Sequence, residues 1–340
     1  MKLYRLDTPG SIEGIVLHTE IAPTPGPGQA LVRVRANSIN YRDLLIAWGK
    51  YMRNPLTGVI PLSDGAGEVA AVGPGVTRVA VGDRVAATFA RGWVGGARQA
   101  DTDMGDRGGS EDGMLAEYVL RGEEELVQLP AHLSFEEAAT LPCAGVTAWV
   151  ALCGFGALSA GDTVLVQGTG GVSIFALQLA KLFGARVIAT SSSDAKLERL
   201  KALGADHVIN YAANAEWEKD VQAFTDRRGV DVVVEVVGDF AKTLKCVRHG
   251  GRISFIGWMG GRKVDLTVTG IIARHISVHG IGVGSRDDFE AMNRAIARHA
   301  LHPVVDKVFD FEDARGAYAC MQGRTHFGKI VIGPAWDSSH

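Results

Sequence analysis

The chain has 340 residues, of which 46% are hydrophobic and 21% are charged. Its 35 basic and 38 acidic residues leave a formal net charge of −3. This globular composition excludes a disordered or fibrous chain, and at about 150 residues per domain the length predicts two domains. The small net charge gives no electrostatic reason to expect nucleic acid or an anionic membrane as a partner.

The first residues contain no apolar segment of the secretory type, and the longest apolar runs, such as 230–237, are too short to span a membrane. The four cysteines lie far apart and form no Cys-x-x-Cys pair; they are Cys143, Cys153, Cys246 and Cys320. We therefore expect a cytoplasmic protein with reduced thiols and no membrane partner.

Short strands dominate the prediction for the first 125 residues. Residues 30–36 alternate apolar and charged side chains, as a half-buried strand does, and Gly-Pro and Gly-Asp pairs separate the runs. Further strands are predicted at 67–72, 84–87 and 116–120, which indicates an irregular, β-barrel-like domain. Residues 90–113, rich in Gly, Asp and Arg, are either a functional or mobile loop or a surface insertion.

After Leu133 the pattern changes to alternating strands and helices. Ser134 and Glu137 have the spacing of a capping box at a helix start, and a second helix is predicted over 144–154. Apolar strands and helices then alternate, which predicts a parallel sheet covered on both faces. The predicted strands are 163–167, 186–190, 207–210, 230–237, 251–256 and 275–283, and the predicted helices are 172–183, 195–203, 215–225 and 240–247.

The last segment, 287–332, breaks this alternation. Helices are predicted at 288–299 and 312–322, with strands at 307–309 and 329–332. Such a break is compatible with a return of the chain to the first domain.

A glycine-rich turn follows the strand 163–167 and opens the next helix, which is the context that a dinucleotide-binding turn needs. Gly168 allows a tight turn, and Gly170 allows the backbone to approach a pyrophosphate that faces the helix N-terminus. Ser173 stands at the third glycine position of the fingerprint and is small enough for close helix–strand packing. We predict cofactor contacts for Gly168, Thr169, Gly170, Gly171 and Val172.

The end of the second strand decides which dinucleotide is expected. An NAD enzyme places an acidic residue there for the ribose 2′-hydroxyl, but here the strand ends in hydroxyl residues. Ser191, Ser192 and Lys196 are suited to a 2′-phosphate instead, so NADPH is preferred over NADH. In the alternative interpretation Ser193 caps the next helix and Lys196 is a solvated surface residue.

Several motifs occur together in one order. They are Asn40–Asp43 (NYRD), Ser63–Val69 (SDGAGEV) with Gly73, Leu141–Gly145 (LPCAG), the turn at 168–173, and Gly204–Asp206 with Asn210 and Tyr211. In this combination the chain resembles the medium-chain dehydrogenase/reductase superfamily over nearly its whole length, specifically its zinc-free quinone oxidoreductase branch.

The resemblance implies an α/β fold with two domains. A GroES-like β-rich catalytic domain would comprise 1–127, completed by 285–340, and a Rossmann doubly wound parallel sheet would comprise 128–284. It also implies an active site in the cleft between them and hydride transfer from a nicotinamide cofactor to an electrophilic carbon.

The resemblance also bears on metal binding. Zinc-dependent relatives begin the first motif with Cys and the second with Gly-His-Glu, and the Cys, His and Glu positions here are Asn40, Ser63 and Asp64. Cys143 stands where a third ligand could be, but with Asp64 alone it makes a poor site, and 91–113 lacks the four cysteines of a structural zinc lobe. We predict no metal, and we interpret Cys143 as a small buried apolar residue.

Without zinc, a conjugated acceptor such as a quinone or an α,β-unsaturated carbonyl is expected, because it spreads the developing charge itself. Hydrogen-bond donors then suffice, and the candidates are Asn40, Tyr41 and Tyr51. Tyr41 is the better placed beside Asn40, whereas Tyr51 lies in a turn that could cap the cleft. Either tyrosine could instead be a packing residue.

Further cofactor contacts follow from the resemblance. Tyr211 is expected near the adenosine phosphate, and the nicotinamide and ribose contacts are expected at Gly238, Ile256, Gly257, Gly282, Val283, Phe327 and Lys329. The strand 275–283 would extend the sheet across a two-fold axis, so we expect a homodimer. Two alternatives remain: an alcohol dehydrogenase-like enzyme acting on simple alcohols or ketones, and a non-catalytic NADPH-binding sensor.

Overall fold

The computed structural model describes residues 1–51, 57–99, 105, 107–257, 261, 263 and 268–335. Its strands, in chain order, are β1 (Lys2–Leu6), β2 (Ile15–Thr19), β3 (Gln29–Ile39), β4 (Asp64–Val72), β5 (Arg84–Ala87), β6 (Tyr118–Gly122), β7 (Leu126–Gln128), β8 (Thr163–Gln167), β9 (Arg186–Ser191), β10 (His207–Asn210), β11 (Val230–Glu235), β12 (Val247–Phe255), β13 (Ser277–Gly280), β14 (Val305–Phe309) and β15 (Lys329–Ile332).

The α-helices are, in chain order, α1 (Tyr41–Ala47), α2 (Phe135–Ala138), α3 (Val146–Cys153), α4 (Gly171–Leu182), α5 (Asp194–Ala202), α6 (Trp217–Phe224), α7 (Phe240–Cys246), α8 (Val268–Arg274), α9 (Arg286–His299) and α10 (Ala314–Gly323). A π-helical turn, Leu141–Gly145, precedes α3. None of the helices in the described part of the chain is long and apolar enough to cross a membrane.

The chain divides into two compact units, Met1–Val146 with Val283–His340, and Thr147–Gly282. The sequence-based domain limits were 127/128 and 284/285, so residues 128–146 lie with the first unit rather than with the second. That segment contains β7 in part, α2 and the π-helical turn.

The first unit is built on a mainly antiparallel sheet with the strand order β14-β15-β3-β4-β5-β7, and β6 also pairs with β3. The long strand β3 alternates half-buried and buried side chains up to residue 36, and residues 36–39 are all buried. The end of the chain joins this sheet because β15 pairs antiparallel with β3, with Ile330 opposite Ile39. This pairing places Lys329 beside the residues that follow β3.

The second unit contains a parallel sheet with the order β10-β9-β8-β11-β12-β13. If the six strands of this sheet are numbered 1 to 6 in chain order, the sheet order is 3-2-1-4-5-6, which is the doubly wound Rossmann order. The direction of winding reverses between β8 and β11. Strand β8 and strand β11 are buried at every position, as expected for central strands covered on both faces. The predicted α/β class with a Rossmann sheet and a GroES-like domain is confirmed.

Most element boundaries differ from the sequence-based ones by a few residues. The predicted strand 275–283 is limited to Ser277–Gly280, and the predicted helix 144–154 begins within the π-helical turn. The sequence analysis also did not predict β1, β2, α1 or α8. Of the segment 90–113, residues 100–104 and 106 lie outside the described residues.

Candidate active site and cofactor site

The glycine-rich turn lies at the carboxyl end of β8, next to the point where the strand order reverses. Gly168 has a φ of +73°, which favours glycine, and Gly170 is the N-cap residue of α4. In the described part of the chain no heavy atom lies within 4 Å of where a Cβ would stand at either glycine. The turn therefore offers open backbone beside a helix N-terminus, which is what a pyrophosphate requires.

Ser173 does more than provide a small side chain at the third fingerprint position. It is buried, and its Oγ donates a hydrogen bond of 2.7 Å to the carbonyl oxygen of Gln167, the last residue of β8. This bond joins the first turn of α4 to the end of the strand. A glycine at this position would allow close packing but could not make the bond.

The predicted phosphate pocket follows β9. Ser191 is buried, its Oγ accepts a hydrogen bond from the backbone N–H of Ser193, and its carbonyl oxygen accepts one from Tyr211. Ser193 is the N-cap residue of α5, but its side chain makes no capping hydrogen bond among the described residues. The alternative interpretation of Ser193 as a side-chain cap is therefore not supported.

The first acidic residue after β9 already has a partner. Asp194, at the start of α5, accepts a hydrogen bond of 2.7 Å at Oδ1 from Nδ2 of Asn210, the last residue of β10. Ser192 and Tyr211 are exposed, and Lys196 is half-buried. The structure thus brings Ser191, Ser192 and Tyr211 to adjacent strand ends, with Lys196 in the first turn of the helix that follows.

The remaining predicted cofactor residues fall into two groups. In the second unit, Gly238 has a φ of +98° after β11, Ile256 and Gly257 follow β12, and Gly282 is exposed. In the first unit, Val283, Phe327 and Lys329 are buried. Cofactor contacts of all these residues stay predictions.

A buried polar cluster lies in the first unit where the zinc ligands of the resembling enzymes would be. Ser63 Oγ donates to Asp64 Oδ1 at 2.8 Å, and the backbone N–H of Cys143 donates to Asp64 Oδ2 at 3.3 Å. Lys329 Nζ donates to Asn40 Oδ1 at 2.5 Å and to the carbonyl oxygen of Ile39 at 2.9 Å. The sequence analysis identified Asn40, Ser63, Asp64 and Cys143 but assigned Lys329 only to the cofactor.

Burial and charge set the protonation of this cluster. Burial raises the pKa of Asp64, against the attraction of the Lys329 ammonium, which lowers it. Burial lowers the pKa of Lys329, and Asp64 is the largest opposing influence. Burial also raises the pKa of the Cys143 thiol, and the charge of Asp64 adds to that effect. This shift favours the neutral thiol. Cys143 is half-buried rather than fully buried, so its interpretation as a small buried residue is only partly met.

The donor set of this cluster does not fit a zinc ion. Zinc binds thiolate, imidazole and carboxylate ligands, whereas the cluster offers an amide, a hydroxyl, a protonated thiol and one carboxylate. It also holds the Lys329 ammonium, whose charge would oppose a cation. Across the described residues there is no group of three or more His, Cys, Asp or Glu side chains that could hold a metal.

Asp43 fixes the backbone of Asn40. Its Oδ2 accepts the N–H of Asn40 at 2.8 Å, and its Oδ1 accepts from Arg42 at 2.9 Å. Burial raises the pKa of Asp43 to about 6, although Arg42 opposes the shift. Arg42 also donates to the carbonyl oxygen of Arg107, so part of the 90–113 segment anchors this cluster.

The backbone before Ser63 is strained. Leu62 has a φ of +66° although it is not glycine and is fully buried. Such conformations cost about 1–3 kcal/mol and persist only where the surroundings enforce them. The carbonyl oxygen of Leu62 accepts the N–H of Met114, which holds the strained turn that aims Ser63 and Asp64.

The two candidate tyrosines contact arginine side chains. Tyr41 Oη accepts a hydrogen bond of 3.1 Å from Arg324, and the Tyr51 ring lies 5.0 Å from the guanidinium of Arg42. Both rings also pack against the hydrophobic core of the first unit. Asn40 is hydrogen-bonded to Lys329 within the cluster, and the catalytic roles of Asn40, Tyr41 and Tyr51 stay predictions.

Comparisons with known proteins agree with this architecture. Residues 26–131 match the family described as alcohol dehydrogenase GroES-like domain, and residues 171–298 match the family described as zinc-binding dehydrogenase. A zinc-type alcohol dehydrogenase-like protein of Schizosaccharomyces pombe is 40% identical over 92% of this chain and 93% of its own length.

Two solved structures are similar to this chain over nearly its whole length. A structure named as an NAD-dependent alcohol dehydrogenase has a TM-score of 0.88 and 33% identity, covering 98% of this chain and 99% of its own. A mycobacterial protein complexed with NADPH has a TM-score of 0.82 and 26% identity, covering 98% and 100%. The chain belongs to the medium-chain dehydrogenase/reductase superfamily, and it is an NAD(P)-dependent oxidoreductase of the alcohol dehydrogenase-like kind.

Proposed function

We propose that this protein is an NADPH-dependent reductase that transfers hydride, without zinc, to a quinone or another α,β-unsaturated carbonyl compound. The observation that carries the proposal is the position of Lys329 in the polar cluster. Its buried ammonium is attracted to Asp64 and hydrogen-bonded to Asn40, so a protein cation occupies the environment that zinc would need.

The cluster supports a conjugated acceptor because its side chains offer hydrogen-bond donors rather than the thiolate and imidazole ligands that zinc prefers. Lys329 holds the Oδ1 end of the Asn40 amide, so the orientation of Nδ2 is fixed. Asn40 Nδ2 lies close enough to Asp64 to lower the pKa of that carboxyl group. It makes no hydrogen bond of ordinary geometry among the described residues. Such a donor stabilises the partial charge of an enolate or hydroquinone oxygen.

When bound, NADPH supplies the hydride, which adds to the electrophilic carbon of the acceptor while the oxygen or the α-carbon takes up a proton. The chain binds the cofactor through the open glycine-rich turn and the N-terminus of α4. Ser191, Ser192 and Lys196 support the preference for NADPH, since hydroxyl and ammonium donors suit a 2′-phosphate. Asp194, the first acid after β9, already accepts a hydrogen bond from Asn210, which supports the same preference.

An alcohol dehydrogenase acting on simple alcohols or ketones is the second candidate. The names of the relatives favour it, because one is called zinc-type and one NAD-dependent. The donor set around Asp64 argues against it, because Asn40 and Ser63 replace two ligand types that zinc prefers.

We also propose a cytoplasmic homodimer. No disulfide joins the four cysteines in the described part of the chain, which suits a reducing compartment. Strand β13 is the last strand of its sheet order, and its apolar side chain, Val278, is 41% exposed. Phe155, 45% exposed, stacks on His279 of the same strand at 4.2 Å. Such an edge is suited to pairing with a second copy.

Substrate turnover and metal content together test the proposed reaction. NADPH and NADH oxidation are followed with a panel of quinones, enals and enoyl esters, and simple alcohols are tested in the oxidative direction. Zinc is measured by elemental analysis after purification without chelator. The proposal expects NADPH oxidation by a conjugated acceptor and much less than one zinc per chain. One zinc per chain with turnover of simple alcohols would support the second candidate.

A further inference from the structure

A buried carboxylate in the second unit has a role that neither the fold nor the proposed reaction assigns. Glu235, the last residue of β11, is 0% exposed. Its Oε1 accepts the backbone N–H groups of Val237 at 2.9 Å and Gly238 at 2.8 Å. Its Oε2 accepts Gln167 Nε2 at 3.0 Å and the hydroxyl of Thr243. Four donors compensate a charge that would otherwise be costly to bury.

The partners of Glu235 belong to the segments that are expected to contact the cofactor. Gln167 immediately precedes the glycine-rich turn, and Val237 and Gly238 form the turn between β11 and α7. The carbonyl oxygen of Glu235 also accepts the N–H groups of Ile256 and Gly257 after β12. One residue therefore holds three loops at the carboxyl edge of the parallel sheet.

Its place in the topology matters because Gln167 and Glu235 end the two neighbouring strands β8 and β11. The strand order reverses between these strands, and ligands of doubly wound sheets bind in the crevice outside that point. The bond between the two side chains fixes the separation of the strand ends under that crevice. Gln167 Oε1 is buried and has no hydrogen-bond partner among the described residues, so the amide is held through Nε2.

We propose that Glu235 is a positioning residue for the dinucleotide: its carboxyl group holds the glycine-rich turn and the 237–238 turn in the conformation that binds the cofactor. The inference rests on the cofactor site proposed above. Pre-organised loops lose less conformational freedom on binding, so loosening them weakens affinity. A carboxylate is required because every neighbour of its two oxygens donates a hydrogen. A side-chain amide would set its own N–H groups against those donors.

The test compares Glu235→Gln with a matched variant on the same strand. Asp231→Asn replaces another buried acid of β11, which bonds the N–H of Thr163 at 2.8 Å and pairs with Arg228 and Arg248 near the amino end of the strand. Both variants lower thermal stability. Binding of NADPH and NADH is measured by fluorescence titration, with unfolding followed by circular dichroism.

We expect Glu235→Gln to raise the Kd of the preferred cofactor about tenfold. It raises the cofactor KM similarly and leaves kcat at saturating cofactor within about threefold. Asp231→Asn leaves the Kd within about twofold. Thr243→Val removes one of the four donors, raises the Kd about threefold, and serves as the test if Glu235→Gln fails to fold.

Equal Kd values for the wild type and for the Glu235 or Thr243 variant would overturn the positioning role. A rise in the Kd of Asp231→Asn as large as that of Glu235→Gln would overturn it as well. Failure of the wild type to bind either dinucleotide would instead overturn the proposed cofactor site, and the inference with it. Binding of NADH alone would correct the cofactor preference but leave the comparison of variants intact.

Discussion

Lys329 Nζ donates a hydrogen bond to Asn40 Oδ1 at 2.5 Å, although 289 residues separate the two in the chain. The antiparallel pairing of β15 with β3 brings them together, since Ile330 lies opposite Ile39. This contact gives the polar cluster of the first unit an internal cation beside Asp64. The lysine thus balances a carboxylate that would otherwise be buried without an opposite charge.

Replacement of Lys329 by Met should destabilise the protein by about 3 kcal/mol, because it leaves the Asp64 carboxylate buried without its cation. Adding Asp64→Asn should cost less than the sum of the two single variants, with a coupling of at least about 1 kcal/mol. Urea unfolding measures both values. Lys307→Met, at an exposed site on β14, is the control and should change the free energy of unfolding by less than about 0.5 kcal/mol. Strict additivity would contradict the electrostatic pairing.

The cofactor preference should respond to two changes in the pocket after β9. Lys196→Ala should weaken NADPH more than NADH, and Ser191→Asp should go further because it repels a 2′-phosphate and offers a partner to a free hydroxyl. Together they are expected to shift the ratio of kcat/KM values by about 2 kcal/mol, or roughly thirtyfold.

Lys201→Ala is the matched control for this pocket, because Lys201 lies on the same helix but pairs with Glu198 at 2.8 Å. It should leave the ratio unchanged. A wild-type preference for NADH would show that the serines and Lys196 do not bind a phosphate. A ratio of kcat/KM values that stays the same in both pocket variants would show the same.

The free energy of unfolding should fall as the pH rises from about 4 to about 6 through Asp43. Burial raises its pKa from 3.8 to about 6, so over this interval the unfolded chain has released a proton that the folded chain retains. Stability decreases with pH wherever the folded state binds more protons, and the full effect is about 3 kcal/mol. Asp43→Asn should reduce this decline in urea unfolding measured at several pH values.

Asp206→Asn provides a control of opposite sign for that experiment. Partial burial acts to raise the pKa of Asp206, but hydrogen bonds from Lys181 and the N–H of Val187 lower it overall. Asp206 therefore adds stability that is lost as the pH falls, and its removal should flatten the acid side of the profile. An unchanged slope between pH 4 and 6 in Asp43→Asn would be inconsistent with a raised pKa.

The oligomeric state should depend on the edge strand β13. Val278→Lys replaces the exposed apolar side chain of this strand by a charged one and is expected to convert a dimer into a monomer in light scattering at micromolar concentration. Val308→Lys, at a 57% exposed site on the edge strand β14 of the other sheet, should leave the dimer intact. A monomeric wild type would refute the proposed dimer.

Local pattern was sufficient to predict the Rossmann half of the protein. The apolar run at 163–167, the glycines after it and the following helical periodicity all depend on neighbours in the chain, so the strand, the turn and the helix were predicted close to their observed bounds. The same holds for β15, which was predicted at 329–332 and is found at Lys329–Ile332. Hydrophobic periodicity and turn chemistry are local properties, and these elements follow from them.

The chemistry of both candidate sites depended on contacts that no local pattern contains. Lys329 meets Asn40 only because β15 returns to β3, and Glu235 meets Gln167 only because β11 lies next to β8. In the sequence Glu235 is a single acid after an apolar strand, and Lys329 is a lysine after a glycine. Both side chains are buried, and a charge removed from water needs partners within the fold. Only the tertiary pairing of the strands decides which partners those are.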